Sequence, residues 1–131
     1  MAKNKGGYVD GFVFPVPKKN VRQYKKMAEW GARVWMNHGA LAYYECMGDD
    51  LNVKAGPDGK KPRSFKDTAK AKSTDTVWFS FIVYRDKNHR NAVNKKVMEQ
   101  MNKEADKWKD MVMPFDPKHM AFGGFKVLVN R

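Results

Sequence analysis

An α+β fold, with two helices laid on one face of a four-stranded antiparallel sheet, is what this chain of 131 residues predicts. Three observations lead there. Four short segments are rich in β-branched and aromatic residues, two segments repeat their apolar residues every three or four positions, and these segments alternate as strand, helix, strand, strand, helix, strand. At this length one core buries roughly two-thirds of the unfolded surface, so a single domain is expected over residues 1–131, ordered from 8 to 129.

The first strand is YVDGFVFPV, Tyr8 to Val16, with Tyr8, Asp10, Phe12 and Phe14 on one side and Val9, Gly11 and Val13 on the other. Pro15 and Pro17 end it, because neither donates to a ladder, and Asn20 with Gln23 three residues on reads as a helix-capping pair. An apolar stripe follows through Val21, Tyr24, Ala28, Gly31, Val34, Trp35 and His38, with Lys25, Lys26 and Arg33 off it. The helix therefore runs to about His38, and Gly39 is a left-handed terminator.

Leu41 to Met47 is aromatic-rich and forms the second strand, closed by Gly48, Asp49 and Asp50. From residue 51 to 75 the apolar period is lost and Lys, Gly, Pro, Ser and Thr take over, which predicts a long, exposed, basic loop. TVWFSFIVY, Thr76 to Tyr84, is the central strand. Asp86 caps the second helix, whose stripe is His89, Val93, Val97, Met101, Ala105 and Trp108. Pro114 and Pro117 bracket a turn, and His119 to Val129 supplies the fourth strand, where Gly123 and Gly124 suggest a bulge or the close approach of another backbone.

Two right-handed βαβ crossovers in one sheet give a ferredoxin-like βαββαβ sandwich with strand order 4-1-3-2. Large apolar residues occupy both faces of its central strand, Val77, Phe79, Phe81 and Val83 against Trp78, Ile82 and Tyr84. One helical layer covers one face. The other is expected to be buried against a symmetric copy, which predicts a homodimer through the sheet faces.

The stretches YVDGFVFPVPKKN, VWMNHGALAYYECMGDD, VWFSFIVYRDKNHRNAVNKKVM and PFDPKHMAFGGFKVLV together resemble the YbaA-like family of small bacterial proteins, from Tyr8 to Val129. The resemblance implies the dimeric α/β-barrel superfamily, in which two ferredoxin-like subunits pack sheet against sheet. That superfamily includes cofactor-free monooxygenases of the antibiotic-biosynthesis type, haem-degrading enzymes and stress-response proteins. The YbaA-like family has no established activity, so no catalytic role is carried over to a residue here. The basic insertion from Lys54 to Lys72 matches no motif of the family.

The net charge of +12 is spread along the chain, and only residues 41–53 are acidic. A nucleic-acid module usually gathers Lys and Arg on one face, so the plain reading is a solvated surface. RNA or another polyanion is the second reading, because the βαββαβ order also serves RNA-recognition domains that stack bases on the third strand. Trp78, Phe79 and Phe81 fit that picture, but the K/R-G-F/Y-G/A-F-V pattern is missing. No apolar run reaches the roughly 20 residues that span a bilayer, and the start from Met1 to Gly7 is basic and polar, so a soluble, cytoplasmic protein is expected. Cys46 is the lone cysteine and supplies no disulfide and no CxxC pair. There is no HxxxH or HExxH spacing and no glycine-rich phosphate loop, so no metal, haem or flavin is expected.

In this topology His38 and His89 fall at one end of the sandwich on the sheet-facing stripes of their helices, with Asp10, Tyr8 and Tyr84 at the same end. An imidazole oriented by a carboxylate is the usual hardware for proton abstraction near neutral pH, which makes Asp10 with His38 or His89 the candidate dyad. The competing structural reading makes His38 a helix C-cap and satisfies the His89 ring on the backbone. A ligand pocket between helices and sheet is expected to be lined by Tyr84, Trp35, Trp78 and Phe125, with Glu45 as a further buried carboxylate. The functional expectation is a small-molecule binder or cofactor-independent, monooxygenase-like enzyme. Its alternatives are the polyanion-binding module and a structural or stress-response dimer without a ligand.

Overall fold

The structure, a computed structural model, describes residues 6–131. Residues 1–5, most of the basic start, lie outside the described residues. In chain order the elements are β1 (Tyr8–Pro17), α1 (Val21–Asn37), β2 (Ala42–Met47), α2 (Phe65–Thr68), β3 (Asp75–Tyr84), α3 (Lys87–Lys103), α4 (Ala105–Trp108) and β4 (Ala121–Lys126). Short 3-10 turns at Lys18–Asn20 and Pro117–His119 precede α1 and β4. The strands form one antiparallel sheet in the order β2-β3-β1-β4.

The pleat decides what each face carries. Even-numbered residues of β1 and β3, among them Tyr8, Phe14, Trp78, Ile82 and Tyr84, turn to the helical side and are buried there. α1 contributes Tyr24, Ala28 and Val34, and α3 contributes Val93 and Val97. Tyr24 sits at the centre of an aromatic cluster with ring centroids 5.3 Å from Phe14, 4.9 Å from Trp78 and 5.6 Å from Phe115. Edge-on packing at these separations contributes about 0.5–1.5 kcal/mol per pair beyond burial.

Several details differ from the sequence expectation, each for a local reason. β1 continues through Pro15 and Pro17. Lys18 N–H donates to Thr74 O, so at a period of two the even residues of β1 bond to β3, and the prolines present their missing N–H on the opposite edge. There β4 has already stopped pairing, at Val13 with Ala121, and no ladder bond is lost. Asn20 and Gln23 do not cap α1. Their side chains reach across to the carbonyls of Pro114 and Val112, at 3.0 Å each, and tie the last loop to the helix start.

The Asp86 cap is present, accepting from His89 N–H at 2.7 Å, and α1 ends at His38 before Gly39 at φ +109°. The stripe through Trp108 breaks at Glu104, where α3 gives way to α4. β4 is shorter than expected, and its register with β1 is continuous, with no bulge at Gly123 or Gly124. The close approach at Gly124 is made by the Tyr8 ring and not by a backbone. The basic loop of residues 51–75 contains α2, which Ser64 caps by accepting from Asp67 N–H.

The odd-numbered face carries neither α1 nor α3; at one end of it Phe65 of α2 packs on Phe79 at 6.4 Å and Val77 is 5% exposed. The face presents Val9, Val13, Phe79, Phe81, Val83 and Phe125, joined by Ala42, Tyr44 and Cys46 of β2. Tyr44 is 52% exposed, Phe79 45% and Phe125 63%, values that belong to an uncovered apolar surface. Among the described residues no helix is long and apolar enough to cross a membrane.

Candidate functional site

Between α1 and the covered face of the sheet lies a cavity of about 190 Å³. Its walls are aromatic and thioether groups: Phe12 and Phe14 from β1, Trp30 and Trp35 from α1, Met101 from α3, and Phe115 with Met120 from the last loop. One charged residue, Glu45, joins this lining.

Glu45 is placed by β2, where period-two alternation puts it on the same side as Tyr43, and by β3, where Ser80 is its direct cross-strand partner. Three hydroxyls converge on its two oxygens. Tyr24 Oη donates to Oε1 at 2.8 Å, Tyr43 Oη donates to Oε2 at 2.7 Å, and Ser80 Oγ also donates to Oε1. Hydrogen bonds to a charged group contribute on the order of 1.5–3 kcal/mol each, enough together to offset the several kcal/mol that desolvating one carboxylate costs. A carboxylate offers about four lone-pair positions, and three are filled here, leaving one acceptor position. Gly31 of α1 makes room for this cluster, since a Cβ there would stand 2.7 Å from Tyr43 Oη.

Burial first, and then the negative charge of Glu45, push the Tyr24 and Tyr43 phenols well above the ordinary tyrosine value. Burial, and then Asp10, do the same to Tyr84. An unfolded chain ionises its tyrosines near pH ~10, whereas the folded chain holds these three protons to higher pH, so above ~10 the unfolded state binds fewer protons and unfolding is favoured. The contribution is fully present below pH ~10 and is lost as pH rises beyond it. Of the five tyrosines, three are expected to show no reversible phenolate absorbance at 295 nm until the far-UV signal collapses. Reversible ionisation of all five near pH ~10 in a still-folded protein would contradict this.

The residues expected to form a catalytic dyad are placed differently. Asp10 is 2% exposed and faces Arg90, whose Nε is 3.7 Å from Asp10 Oδ1. Arg90 also donates to Tyr8 Oη at 3.0 Å and lies over the Tyr8 ring. His38 Nε2 is bound to Gln100 Oε1 at 2.7 Å. His89 Nδ1 accepts from Arg85 N–H at 2.9 Å, with the Tyr84 ring edge-on beside it. Among the described residues Asp10 has no hydrogen bond to either histidine, and neither histidine lines the cavity.

Of the expected pocket residues, Trp35 and Glu45 line the cavity. Trp78 is buried beside it in the aromatic cluster, with its Nε1 donating to Thr76 Oγ1. Tyr84 lies deeper along the sheet and donates to Asn94 Oδ1, which also accepts from Trp35 Nε1. Phe125 is on the opposite face. Its cross-strand partner is Val9, and that parity carries it away from the helices.

The hydroxyls of Tyr24, Tyr43 and Ser80 escaped the sequence reading. A signal was present: Tyr43 and Glu45 are two apart on one strand, and Ser80 is the single small polar residue in the interior of TVWFSFIVY. Only the register Glu45↔Ser80 turns that signal into a site. Among the described residues no cluster of three His, Cys, Asp or Glu could hold a metal ion.

Comparison with known proteins adds family and no activity. A family model described as "Protein of unknown function (DUF1428)" matches residues 7–117. "Uncharacterized protein YbaA" of Escherichia coli (strain K12) is 37% identical over 125 residues, covering 94% of this chain and 97% of the relative. The protein of that name in Shigella flexneri matches at the same 37%. A solved structure described as a "putative amidohydrolase/peptidase from Burkholderia cenocepacia" aligns at 7% identity with a TM-score of 0.29, over 95% of this chain and 27% of that one. That likeness is too slight to bear on the fold or the site.

Proposed function

This chain belongs to the DUF1428 family of proteins of unknown function, and from that premise we propose that it is a homodimeric, ferredoxin-like small-molecule binder whose ligand sits in the cavity over Glu45. The observation that carries the reading is one acceptor-rich carboxylate, held by three hydroxyls, inside an otherwise aromatic and thioether-lined cavity of about 190 Å³. Ligand sites are mostly apolar concavities with a few placed polar groups, and this one has that composition. Its volume exceeds the roughly 150 Å³ of an engineered apolar cavity that takes up benzene, which sets the ligand at the scale of one ring with a short substituent.

Binding is proposed, and not catalysis, because the histidines suited to proton transfer are engaged elsewhere. The dimer rests on the uncovered face, which the two-helix layer leaves exposed.

The test is thermal unfolding with indole. At a concentration about 100-fold above its dissociation constant, a ligand confined to the folded state adds about 2.7 kcal/mol and raises the midpoint. Ala28→Leu puts a larger side chain into the cavity from α1 and is expected to abolish that rise while the protein stays folded. An unchanged midpoint in the wild type at every soluble indole concentration, or an equal rise in Ala28→Leu, would remove the proposal.

A further inference from the structure

We infer that the ligand of this cavity is a small organic ammonium, an aryl or alkyl amine carrying a positive charge. The inference rests on the small-molecule reading above and deepens it by naming the charge of the occupant.

Three features point the same way. First, Glu45 is the one charged residue of the lining, so the protein provides its negative charge with no lysine, arginine or histidine facing it across the cavity. Donated hydroxyl bonds disperse that charge without cancelling it. An anionic ligand would be repelled, and a neutral hydrocarbon would make no bond to the fourth acceptor position of the half-buried carboxylate. Second, aromatic residues, among them Trp30, Trp35 and Phe12, line the cavity beside the thioethers. Aromatic rings around a carboxylate are the recognition chemistry of an ammonium, because each ring face attracts a cation and the attraction strengthens when water is excluded. Third, the phenols of Tyr24 and Tyr43 are held in their protonated form, so they act as hydrogen-bond donors to Glu45 and leave the ligand's N–H groups the remaining acceptor position.

The chain's net charge of +12 does not oppose this at contact. Surface charges act weakly beyond a Debye length of about 8 Å at physiological salt, while a partly buried carboxylate in direct contact with the ligand is screened less.

The experiment titrates the full chain with three probes of similar shape, phenethylammonium, 2-phenylethanol and 3-phenylpropanoate. It follows the tryptophan fluorescence, to which Trp30 and Trp35 of the lining contribute, and confirms the constants by calorimetry. Phenethylammonium is expected to bind at least about tenfold tighter than 2-phenylethanol, with 3-phenylpropanoate weakest. In Glu45→Gln the advantage of the ammonium over the alcohol is expected to fall to within about twofold, while the alcohol's own affinity changes little. Equal binding of ammonium and alcohol by the wild type overturns the inference and leaves the cavity reading standing. An ammonium preference that survives Glu45→Gln also overturns it. Binding of none of the three overturns both. The wild-type ratio decides alone should Glu45→Gln fail to fold.

Discussion

Arg90→Met is expected to destabilise the protein by about 3–5 kcal/mol, the cost of leaving a buried carboxylate without its counter-charge. Asp10 stands on a central strand, is 2% exposed, and has Arg90 Nε 3.7 Å from its Oδ1. Neither of those two atoms has a hydrogen-bond partner, so charge attraction and not a direct hydrogen bond joins them. Arg90 also holds the Tyr8 hydroxyl and covers the Tyr8 ring, so methionine removes a cation–π contact along with the charge. Asp10→Asn removes the charge that needs compensating, and in that background Arg90→Met is expected to cost far less. Urea unfolding of the two single variants, the double variant and the wild type measures the coupling. A loss under about 1 kcal/mol for Arg90→Met, or an equal loss in both backgrounds, would show that the pair is not the anchor described here.

The same pair shows where the sequence was legible and where it was not. Asp10 was legible as a buried carboxylate, because it alternates with Tyr8, Phe12 and Phe14 on the apolar side of a strand. Its partner was not. Arg90 and His89 are adjacent on α3, and a step of one residue turns a side chain by about 100° around a helix, a difference that stripe counting at a spacing of three or four blurs.

Strands and helices were readable where composition or period persists, as in the β-branched and aromatic run TVWFSFIVY and in the spacing of three to four along α1. Reading failed where tertiary contacts recruit a residue for something else. Asn20 and Gln23 have the chemistry and spacing of a cap, yet they bind Pro114 and Val112, more than 85 residues away in sequence. For the site, Glu45 was recognisable as a carboxylate among aromatics, while its three donors come from three different elements and need the packing of α1 on the sheet.

Phe81→Asp is expected to convert a dimer into a monomer at micromolar concentration, read as a halving of mass by light scattering with an unchanged far-UV spectrum. Phe81 lies on central strand β3, points away from the helices and stacks on Tyr44 at 4.7 Å, so a carboxylate there disturbs the open face and not the core. The size of that face decides whether a copy can hold to it. Its four strands have 10, 6, 10 and 6 residues. At about 4.8 Å between strands and about 3.3 Å per residue this gives at most roughly 500 Å² per copy, about 1,000 Å² for a pair, which reaches the threshold for a specific interface only if nearly the whole face outside the buried Val77 takes part.

Composition favours a second copy over a nucleic acid. The chain has 26 Lys and Arg and 14 Asp and Glu, yet along the strands the open face carries one charged residue, Asp75 at the start of β3. Depletion of charge at the centre with aromatics retained marks a protein interface, whereas a base-stacking platform needs Lys or Arg beside its rings to meet phosphates. A wild type that is monomeric at every concentration, and that binds single-stranded RNA at ~50 mM salt, would transfer the face to the polyanion reading. A wild-type dimer that persists in Phe81→Asp would move the interface elsewhere on the molecule.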